Sequence, residues 1–274
     1  MKSRVASGAA LVVFLLAIVI FNRSFPMALN LAISLISVMG VVEIISALGM
    51  SKNSILLLPS AVFAAVLPLV QDPVWQQAVY YIYTVILFVS LIFYHQMFTF
   101  REIGVVYSMT LLIPTALETL VGLRSMGHNH GMFYVIIAIF SAWIADVGAF
   151  FAGSFLGKHK LCPQISPKKT VEGLVGGFVL DIAAMLVFGY IFHAIFYAYQ
   201  VQISYVSLFV IGLVGAALSV IGDLSFSLIK RSCHIKDFGE VIPGHGGILD
   251  RFDSVIFVAP FVYFWVQFFP IVVI

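Results

Sequence analysis

Long apolar stretches with few charges constrain this chain more than any other feature of its sequence. Of its 274 residues, 62% are hydrophobic and only 9% are charged. Several stretches reach roughly 18 or more residues, which is long enough to cross a bilayer as a helix. The alternation of apolar and polar residues that marks a membrane β-barrel is absent. The sequence therefore predicts an all-α, polytopic integral membrane protein with a single transmembrane domain over residues 1–274.

The length rule for membrane helices places about nine spans in this chain. They are predicted at residues 5–22, 26–49, 54–71, 74–97, 103–123, 131–156, 171–199, 204–229 and 248–272. Lysine and arginine accumulate on the cytoplasmic side of membrane proteins. With the N-terminus in the cytoplasm, this map puts all of the 14 lysines and arginines on or toward that side, except Arg23 and Arg124. The sequence thus predicts nine spans, a cytoplasmic N-terminus and an uncleaved first span.

The net charge bears on the kind of partner, and the cysteine content bears on whether disulfides form. The formal net charge is only +2, which argues against a nucleic-acid partner. The two cysteines, Cys162 and Cys233, form no disulfide framework. Both fall in loops predicted to be cytoplasmic, where thiols stay reduced. Both are therefore expected to be ordinary reduced thiols.

Acidic residues inside the predicted spans are the first candidates for function, because a charge within a membrane is costly and is kept for a purpose. Glu43, Glu118 and Asp181 carry the weaker signal, and each is expected to line a cavity or to pair with another buried group and not to touch substrate. Asp223 is the stronger candidate, since polar residues follow it at i+4, i+7 and i+8, on one helix face. These residues are Ser227, Lys230 and Arg231.

A glycine-rich turn, residues 243–247, follows that face and precedes the last span. Its bare N–H groups and the helix start behind it favour an anion such as phosphate, and its glycines fix the position of His245. The last span opens with Asp250, Arg251 and Asp253. Mg²⁺ takes one or two carboxylates together with phosphate oxygens, which predicts Asp223 and Asp250 as metal ligands. Acids for Mg²⁺ beside bases for phosphate indicate phosphoryl or nucleotidyl transfer.

A second polar loop, residues 157–170, carries four lysines. On topology alone, a plain positive-inside loop has the same appearance. Its end is more specific, because Pro167 breaks a helix and Thr170 is placed to cap the next one. Glu172 falls in the first turn of that next helix, where an acid suits the helix dipole. Small residues follow at positions that predict close helix packing, namely Gly173, Gly176 and Gly177.

These motifs together resemble one enzyme family. The segment S-L-I-K-R-x4-K-D-x-G-x2-I-P-x-H-G-G-I-x-D-R-F-D, from Ser227 to Asp253, resembles the signature of phosphatidate cytidylyltransferases (CDP-diacylglycerol synthases). Asp146 in WIADVGAFFAG, the GKHKL stretch from Gly157 and the S-P-K-K-T-V-E-G loop from Ser166 match further motifs of the family. The resemblance covers the second half of the chain well. It reaches the first half mainly through the hydrophobic spans.

The resemblance implies an enzyme that transfers CMP from CTP to phosphatidic acid, a membrane lipid, and so gives CDP-diacylglycerol and pyrophosphate for phospholipid synthesis. It implies catalytic roles for Asp223, Lys230, Arg231, Lys236, Asp237, His245, Asp250, Arg251 and Asp253. It implies a CTP site formed by Ser166, Lys168, Lys169, Thr170, Glu172 and Asp146. Asp146 and Asp253 are secondary candidates for holding Mg²⁺, and a second cation such as K⁺ and a homodimer are also implied. The implied location is a bacterial inner membrane, with the active site facing the cytoplasm.

The chain departs from the family pattern at two positions. Phe226 stands where the family usually has an acid, in G-D-L-x-E-S, and Phe238 replaces a small residue that often follows K-D. The remaining polar positions of the signature are intact. Within the single domain, residues 1–130 are predicted to form an N-terminal helical half, and residues 131–274 a catalytic half that carries the motifs.

Two alternatives remain open at the level of sequence. A related CTP-dependent lipid enzyme, either a polyprenol kinase or an archaeal lipid cytidylyltransferase, would use the same kinds of residue. A kinase would release CDP, whereas the transferase releases pyrophosphate. An ion-coupled transporter would also keep acids within its spans, but transporters often contain an internal repeat, and none is found in this sequence.

Overall fold

The fold is built from helices joined by short connections. The computed structural model describes residues 25–126, 130–240 and 246–273. Its first four helices are α1 (Ala28–Ala47), α2 (Ser54–Val66, continued by a 3-10 turn at Leu67–Leu69), α3 (Pro73–Phe93) and α4 (Phe100–Ser125). The next four are α5 (Gly131–Leu156), α6 (Val171–Ile191, continued by a π-helical turn at Phe192–Phe196), α7 (Tyr205–Ser232) and α8 (Leu249–Phe268).

Six of the described helices are long and apolar enough to cross a membrane, namely α1 and α3 to α7. They coincide with the spans predicted at 26–49, 74–97, 103–123, 131–156, 171–199 and 204–229. Helix α2 is apolar but shorter, and α8 occupies the last predicted span without being one of the six. The first predicted span, residues 5–22, lies outside the described residues. The all-α, polytopic membrane class is thus confirmed.

Local sequence explains where several helices begin. Asp72 precedes Pro73 at the start of α3, and its Oδ1 accepts hydrogen bonds from the N–H groups of Val74 (2.9 Å) and Trp75 (3.2 Å). Thr99 and Glu102 form a reciprocal capping box before α4, with bonds of 2.8 Å and 3.3 Å. Such side chains satisfy N–H groups that have no partner inside the helix. The starts of α3 and α4 are therefore set by polar residues at the ends of apolar stretches.

Two short antiparallel strand pairs interrupt the helices. Strands β1 (Lys160–Cys162) and β2 (Ser166–Thr170) form a hairpin between α5 and α6. Strands β3 (Gln202–Ile203) and β4 (Val272–Val273) pair with each other. The sequence predicts only a loop at 157–170, because strands this short leave no apolar alternation to detect. The hairpin contains four of the predicted CTP-site residues, namely Ser166, Lys168, Lys169 and Thr170.

The chain divides into two compact units. The described residues up to Val121, together with Cys233–Arg251, form the first unit. Gly122–Ser232 and the residues from Phe252 onward form the second unit. Helix α8 therefore begins in the first unit and continues in the second. The signature segment is divided between the units, with Lys230 in the second and Asp250 in the first; Asp223, which precedes the segment, also lies in the second.

The first unit is organised around the contacts of α1 and α3 with α2. Phe63 on α2 stacks on Tyr83 of α3, with ring centroids 4.6 Å apart. The Tyr83 hydroxyl shares a 3.0 Å hydrogen bond with Ser60, which removes the penalty of burying two hydroxyls in an apolar core. Ile44 on α1 and Leu56 on α2 are also fully buried. This packing fixes α1, which carries Glu43.

The second unit has α5, α6 and α7 packed against one another. Glycines on α6 allow a close approach to α5. A Cβ at Gly173 would lie 2.7 Å from the Ala149 carbonyl oxygen, and one at Gly177 would lie 2.9 Å from the Ala145 carbonyl oxygen. Larger residues would force the helices apart, as expected of small-residue helix packing in membranes. The predicted packing role of the α6 glycines is confirmed.

Candidate active site

Lys169 and Asp223 form an ion pair between β2 and α7. The Lys169 Nζ lies 2.5 Å from Asp223 Oδ2, and the two side chains are 20% and 28% exposed. The Ser227 hydroxyl, one turn further along α7, donates to Asp223 Oδ1 at 3.2 Å. A partly exposed ion pair contributes little to stability. Its interest is chemical, because a loop predicted to bind phosphate meets a carboxylate predicted to bind metal.

Two further carboxylates, from α5 and α8, share one serine hydroxyl. Ser254 Oγ lies 2.9 Å from Asp146 Oδ2 and 3.4 Å from Asp253 Oδ1. The Ser219 hydroxyl on α7 donates to Asp146 Oδ1 at 3.1 Å. Both carboxylates are near enough to Asp223 to interact with it electrostatically. Three predicted site acids from three helices therefore converge within the second unit.

Positive charge accompanies these acids. Lys230, near the end of α7, is only 9% exposed and lies within electrostatic reach of Asp253. Arg231, the next residue, is exposed to solvent. A buried ammonium is retained only where negative charge compensates for its lost hydration. The second unit therefore holds acids and lysines together, which suits a bound cation and an anionic substrate.

The β1–β2 hairpin presents the predicted CTP-site residues in an ordered arrangement. Ser166 pairs with Cys162 across the hairpin, and Lys168 is exposed. Thr170 ends β2, and its hydroxyl accepts a 3.1 Å hydrogen bond from the N–H of Gly173. The predicted capping of α6 by Thr170 is thus confirmed. Its neighbour Lys169, also on β2, reaches α7 through its ion pair with Asp223.

Glu172 fastens this hairpin to α6. Its carboxylate accepts hydrogen bonds from the backbone N–H of Lys158 at 3.0 Å and of His159 at 3.2 Å. It also lies 2.6 Å from Nδ1 of the His159 ring. The resemblance implied that Glu172 belongs to the CTP site. In the structure, Glu172 forms a clasp: its carboxylate bonds to the chain entering the hairpin and so links the base of the hairpin to α6.

In the first unit, Asp250 organises the loop before α8. Its Oδ2 accepts hydrogen bonds from the N–H groups of Phe238 at 2.8 Å and Gly247 at 2.9 Å. Lys236 and Asp237, at the start of this loop, are exposed. The predicted residue His245 lies outside the described residues. Because Asp250 and Asp223 belong to different units, their sharing of a metal ion stays a prediction.

Glu43 on α1 caps the start of α8 and is the clearest residue that the sequence did not single out for this region. Its Oε1 and Oε2 accept hydrogen bonds from the N–H groups of Ile248 at 2.8 Å and Leu249 at 2.9 Å. The only signal in the sequence was an acid inside a span, for which a buried partner was expected. Its partner is a helix start more than 200 residues away.

The other intramembrane acids also have polar partners. Glu118 accepts a hydrogen bond from Gln76 at 3.0 Å, and Asp181 accepts one from the Ser141 hydroxyl at 2.8 Å. Asp181 thus pairs with another buried group, as expected, whereas Glu118 and Gln76 are both only partly buried. Each partner lies on a neighbouring helix, so the two acids tie helices together within their own units.

The two departures from the family pattern are both packing residues here. Phe226 on α7 is fully buried, and Phe238 is 6% exposed. An acid at position 226 would have to be accommodated in the same buried place. The site acids of the second unit are therefore Asp146, Asp223 and Asp253, without a fourth at position 226.

The carboxylates of the candidate site suit the coordination that Mg²⁺ prefers. Within residues 25–126, 130–240 and 246–273, no three His, Cys, Asp or Glu side chains are arranged as a ready metal site. Mg²⁺ does not need such a cage, because it keeps waters and takes one or two carboxylates plus substrate phosphates. The lysine ammonium on Asp223 Oδ2 shows that this carboxylate accepts a cation at short range. The residues thus fit a metal that arrives with a nucleotide.

A helical membrane fold in which a lysine of a polar hairpin pairs with a helix carboxylate is suited to an enzyme that handles phosphate groups at a bilayer. The chain belongs to the cytidylyltransferase family, whose model matches residues 2–269. A phosphatidate cytidylyltransferase of Bacillus subtilis (strain 168) is 33% identical over 275 residues, covering 96% of this chain and 97% of the relative. Proteins of the same name from Staphylococcus saprophyticus and Staphylococcus aureus (strain COL) are 42% and 39% identical over 132 residues, 48% of each chain.

Proposed function

We propose that this protein is a CTP:phosphatidate cytidylyltransferase. A phosphate oxygen of phosphatidic acid attacks the α-phosphorus of CTP. The bond between that phosphorus and the bridging oxygen to the β-phosphate breaks. The products are CDP-diacylglycerol and pyrophosphate. The attacking phosphate is already an anion, so the enzyme's task is to position two anions and to offset their repulsion.

The Lys169–Asp223 pair is the observation that carries this proposal. It joins the hairpin, which has the composition of a triphosphate-binding loop, to the acids of the second unit at 2.5 Å. A transporter has no need of a lysine hairpin beside its intramembrane acids. An enzyme that binds a nucleotide with its metal needs both kinds of group in one place.

Each group of residues then has a distinct task. Lys168 and Lys169 hold the triphosphate, and Lys230 offsets charge on the reacting phosphates. Asp223, with Asp146 and Asp253 beside it, is suited to hold Mg²⁺, which when bound neutralises phosphate charge. Ser254 and Ser219 orient the Asp146 carboxylate for this purpose. A second cation such as K⁺ and a role for Asp250 at the same metal are further parts of the proposal.

The proposed setting is the bacterial inner membrane, with nine spans, a cytoplasmic N-terminus and the site facing the cytoplasm. CTP is a cytosolic substrate, whereas phosphatidate stays in the bilayer. Apolar side chains on α3 support lipid contact, since Tyr81 is 71% exposed and Ile92 is 69% exposed. A homodimer is proposed from the family resemblance alone.

The decisive experiment supplies purified protein with CTP labelled at the α-phosphate, phosphatidic acid and Mg²⁺. The expected products are labelled CDP-diacylglycerol and free pyrophosphate. Release of CDP with a phosphorylated lipid would instead identify a kinase. The variant Asp250→Asn, assayed in parallel, tests the predicted metal role of Asp250, because turnover equal to wild type would remove that residue from the site.

A further inference from the structure

We propose that Glu43 is a positioning residue for the active site, because its carboxylate fixes the loop and the helix start that carry Asp250 and Arg251. The inference rests on the proposed function, since these residues matter for catalysis only if the chain transfers CMP. Glu43 lies in α1, far from the signature in sequence. It is not one of the residues that the family resemblance assigns to the site.

Both oxygens of the Glu43 carboxylate are engaged by the start of α8. They accept hydrogen bonds from Ile248 N at 2.8 Å and from Leu249 N at 2.9 Å, and the residue is only 6% exposed. N–H groups at a helix start have no partner inside the helix, and the helix dipole favours negative charge there. A carboxylate inside a membrane helix needs such compensation. The Glu43 carboxylate therefore supplies acceptors for the free N–H groups of α8, and these N–H groups stabilise the buried carboxylate.

The loop before α8 also packs directly on this carboxylate. A Cβ at Gly247 would lie 2.5 Å from Glu43 Oε2, and one at Gly239 would lie 3.0 Å from Glu43 Oε1. Two separate points of the loop thus approach the same side chain. At Gly247 the distance is too short for any residue with a Cβ, unless Glu43 moves.

Asp250 completes the arrangement from the other side of the loop. Its Oδ2 accepts hydrogen bonds from Phe238 N at 2.8 Å and Gly247 N at 2.9 Å. Glu43 therefore holds the start of the helix, and Asp250 ties the loop to its first turn. A shift of Glu43 would displace the helix start and, with it, Asp250 and Arg251. Residues that orient a site from behind typically change activity by about 10- to 100-fold when they are removed.

The first test compares wild type with Glu43→Gln, using the full-length protein in lipid nanodiscs. Glutamine keeps the size of the side chain, but its amide group faces one of the two N–H donors. We expect faster hydrogen–deuterium exchange at the start of α8 and a kcat/KM for CTP lowered by about 10- to 100-fold. The matched control is Glu118→Gln, an intramembrane acid of the same unit, which should leave both quantities unchanged.

The readouts separate positioning from a purely structural role. Faster exchange with unchanged kcat, KM for CTP and Mg²⁺ dependence would overturn the proposal, since the cap would then serve stability alone. Unchanged exchange would overturn it as well, because the contact would not be holding the helix. Exchange does not depend on turnover. The exchange measurement therefore tests the contact between Glu43 and α8 even if the wild-type protein releases no pyrophosphate. Absence of pyrophosphate release would overturn the proposed function and, with it, the catalytic part of this inference.

A second set of variants tests the same contact from the loop, in case Glu43→Gln fails to fold. Gly247→Ala should lower kcat/KM strongly and Gly239→Ala only mildly, in the order of their distances to Glu43. In a Glu43→Ala background, Gly247→Ala should add little further loss, because the side chain that it displaces is gone. A full additional loss in that background would show that Gly247 acts independently of Glu43 and would overturn the proposal.

Discussion

At the scale of single residues, Asp223 is the acid on which the proposed chemistry depends most directly. It accepts a lysine ammonium on one oxygen and a serine hydroxyl on the other. Asp223→Asn keeps the shape but removes the charge, so we expect kcat to fall by about 100-fold or more, the loss typical of a group that stabilises charge. Steady-state rates of pyrophosphate release measure this effect.

Ser227→Ala is a milder test of the predicted role of Asp223. It removes one hydrogen bond to Asp223 and leaves the carboxylate and Lys169 in place, so its effect should be much smaller than that of Asp223→Asn. Asp181→Asn is the matched control, because Asp181 is a buried acid of the same unit with a serine partner. Equal losses for Asp181→Asn and Asp223→Asn would point to general damage of the helix packing, and not to a site at Asp223.

Phe226 carries the residue-scale prediction for stability. Its ring is fully buried in α7, and truncating a buried aromatic ring leaves a cavity. We expect Phe226→Ala to lower the free energy of unfolding by about 3–5 kcal/mol, measured as a lower thermal midpoint for the detergent-solubilised protein. Phe226→Leu should cost less, because it fills more of the same space. A midpoint unchanged by Phe226→Ala would contradict the burial of this ring.

At the scale of secondary-structure elements, the β1–β2 hairpin is held at its base by Glu172. Replacing Glu172 with alanine removes acceptors for the N–H groups of Lys158 and His159. We expect the hairpin to loosen, so that trypsin cleaves faster after Lys158 and Lys160 and the KM for CTP rises. His159→Ala removes only the ring contact and should have a smaller effect on both. Unchanged cleavage in Glu172→Ala would show that the clasp does not hold the hairpin.

The elements differ in how well the sequence predicts them. Helices α1 and α3 to α7 were predictable, because a bilayer requires long apolar stretches and those stretches are visible in one dimension. The hairpin was not, since its two strands are defined by pairing with each other and by the Glu172 clasp. The start of α8 was predictable from its Gly-rich turn and acids, but its cap was not, because the capping residue lies on α1.

At the scale of the whole molecule, the same distinction applies to the site. Residue spacing pointed to Asp223 and Asp253, and the family resemblance added Asp146 and Lys169; the structure brings these four residues together in one unit. The spacing could not say that Lys169 would meet Asp223, because that contact depends on how a hairpin folds onto a helix. It also could not assign Glu43 to the signature loop, since an acid's partner is set by helix packing and not by the local sequence.

Membrane topology gives the prediction that concerns the whole chain. The two native cysteines, Cys162 and Cys233, fall in the two loops predicted to face the cytoplasm, and both are partly exposed. A membrane-impermeant maleimide should therefore label them in inside-out vesicles and leave them unlabelled in intact cells. A cysteine introduced at the exposed residue Gln200, between α6 and α7, in a cysteine-free background should show the opposite pattern.

The two labelling patterns test orientation independently of catalysis. Helix α6 is long and apolar enough to cross the membrane once, so we expect the loop before it and the loop after it to lie on opposite sides. Because CTP is cytosolic, the hairpin that contains Cys162 has to face that compartment if Lys168 and Lys169 bind the triphosphate. Labelling of Cys162 from the outside of intact cells would place this hairpin away from CTP, and the proposed reaction could not occur there.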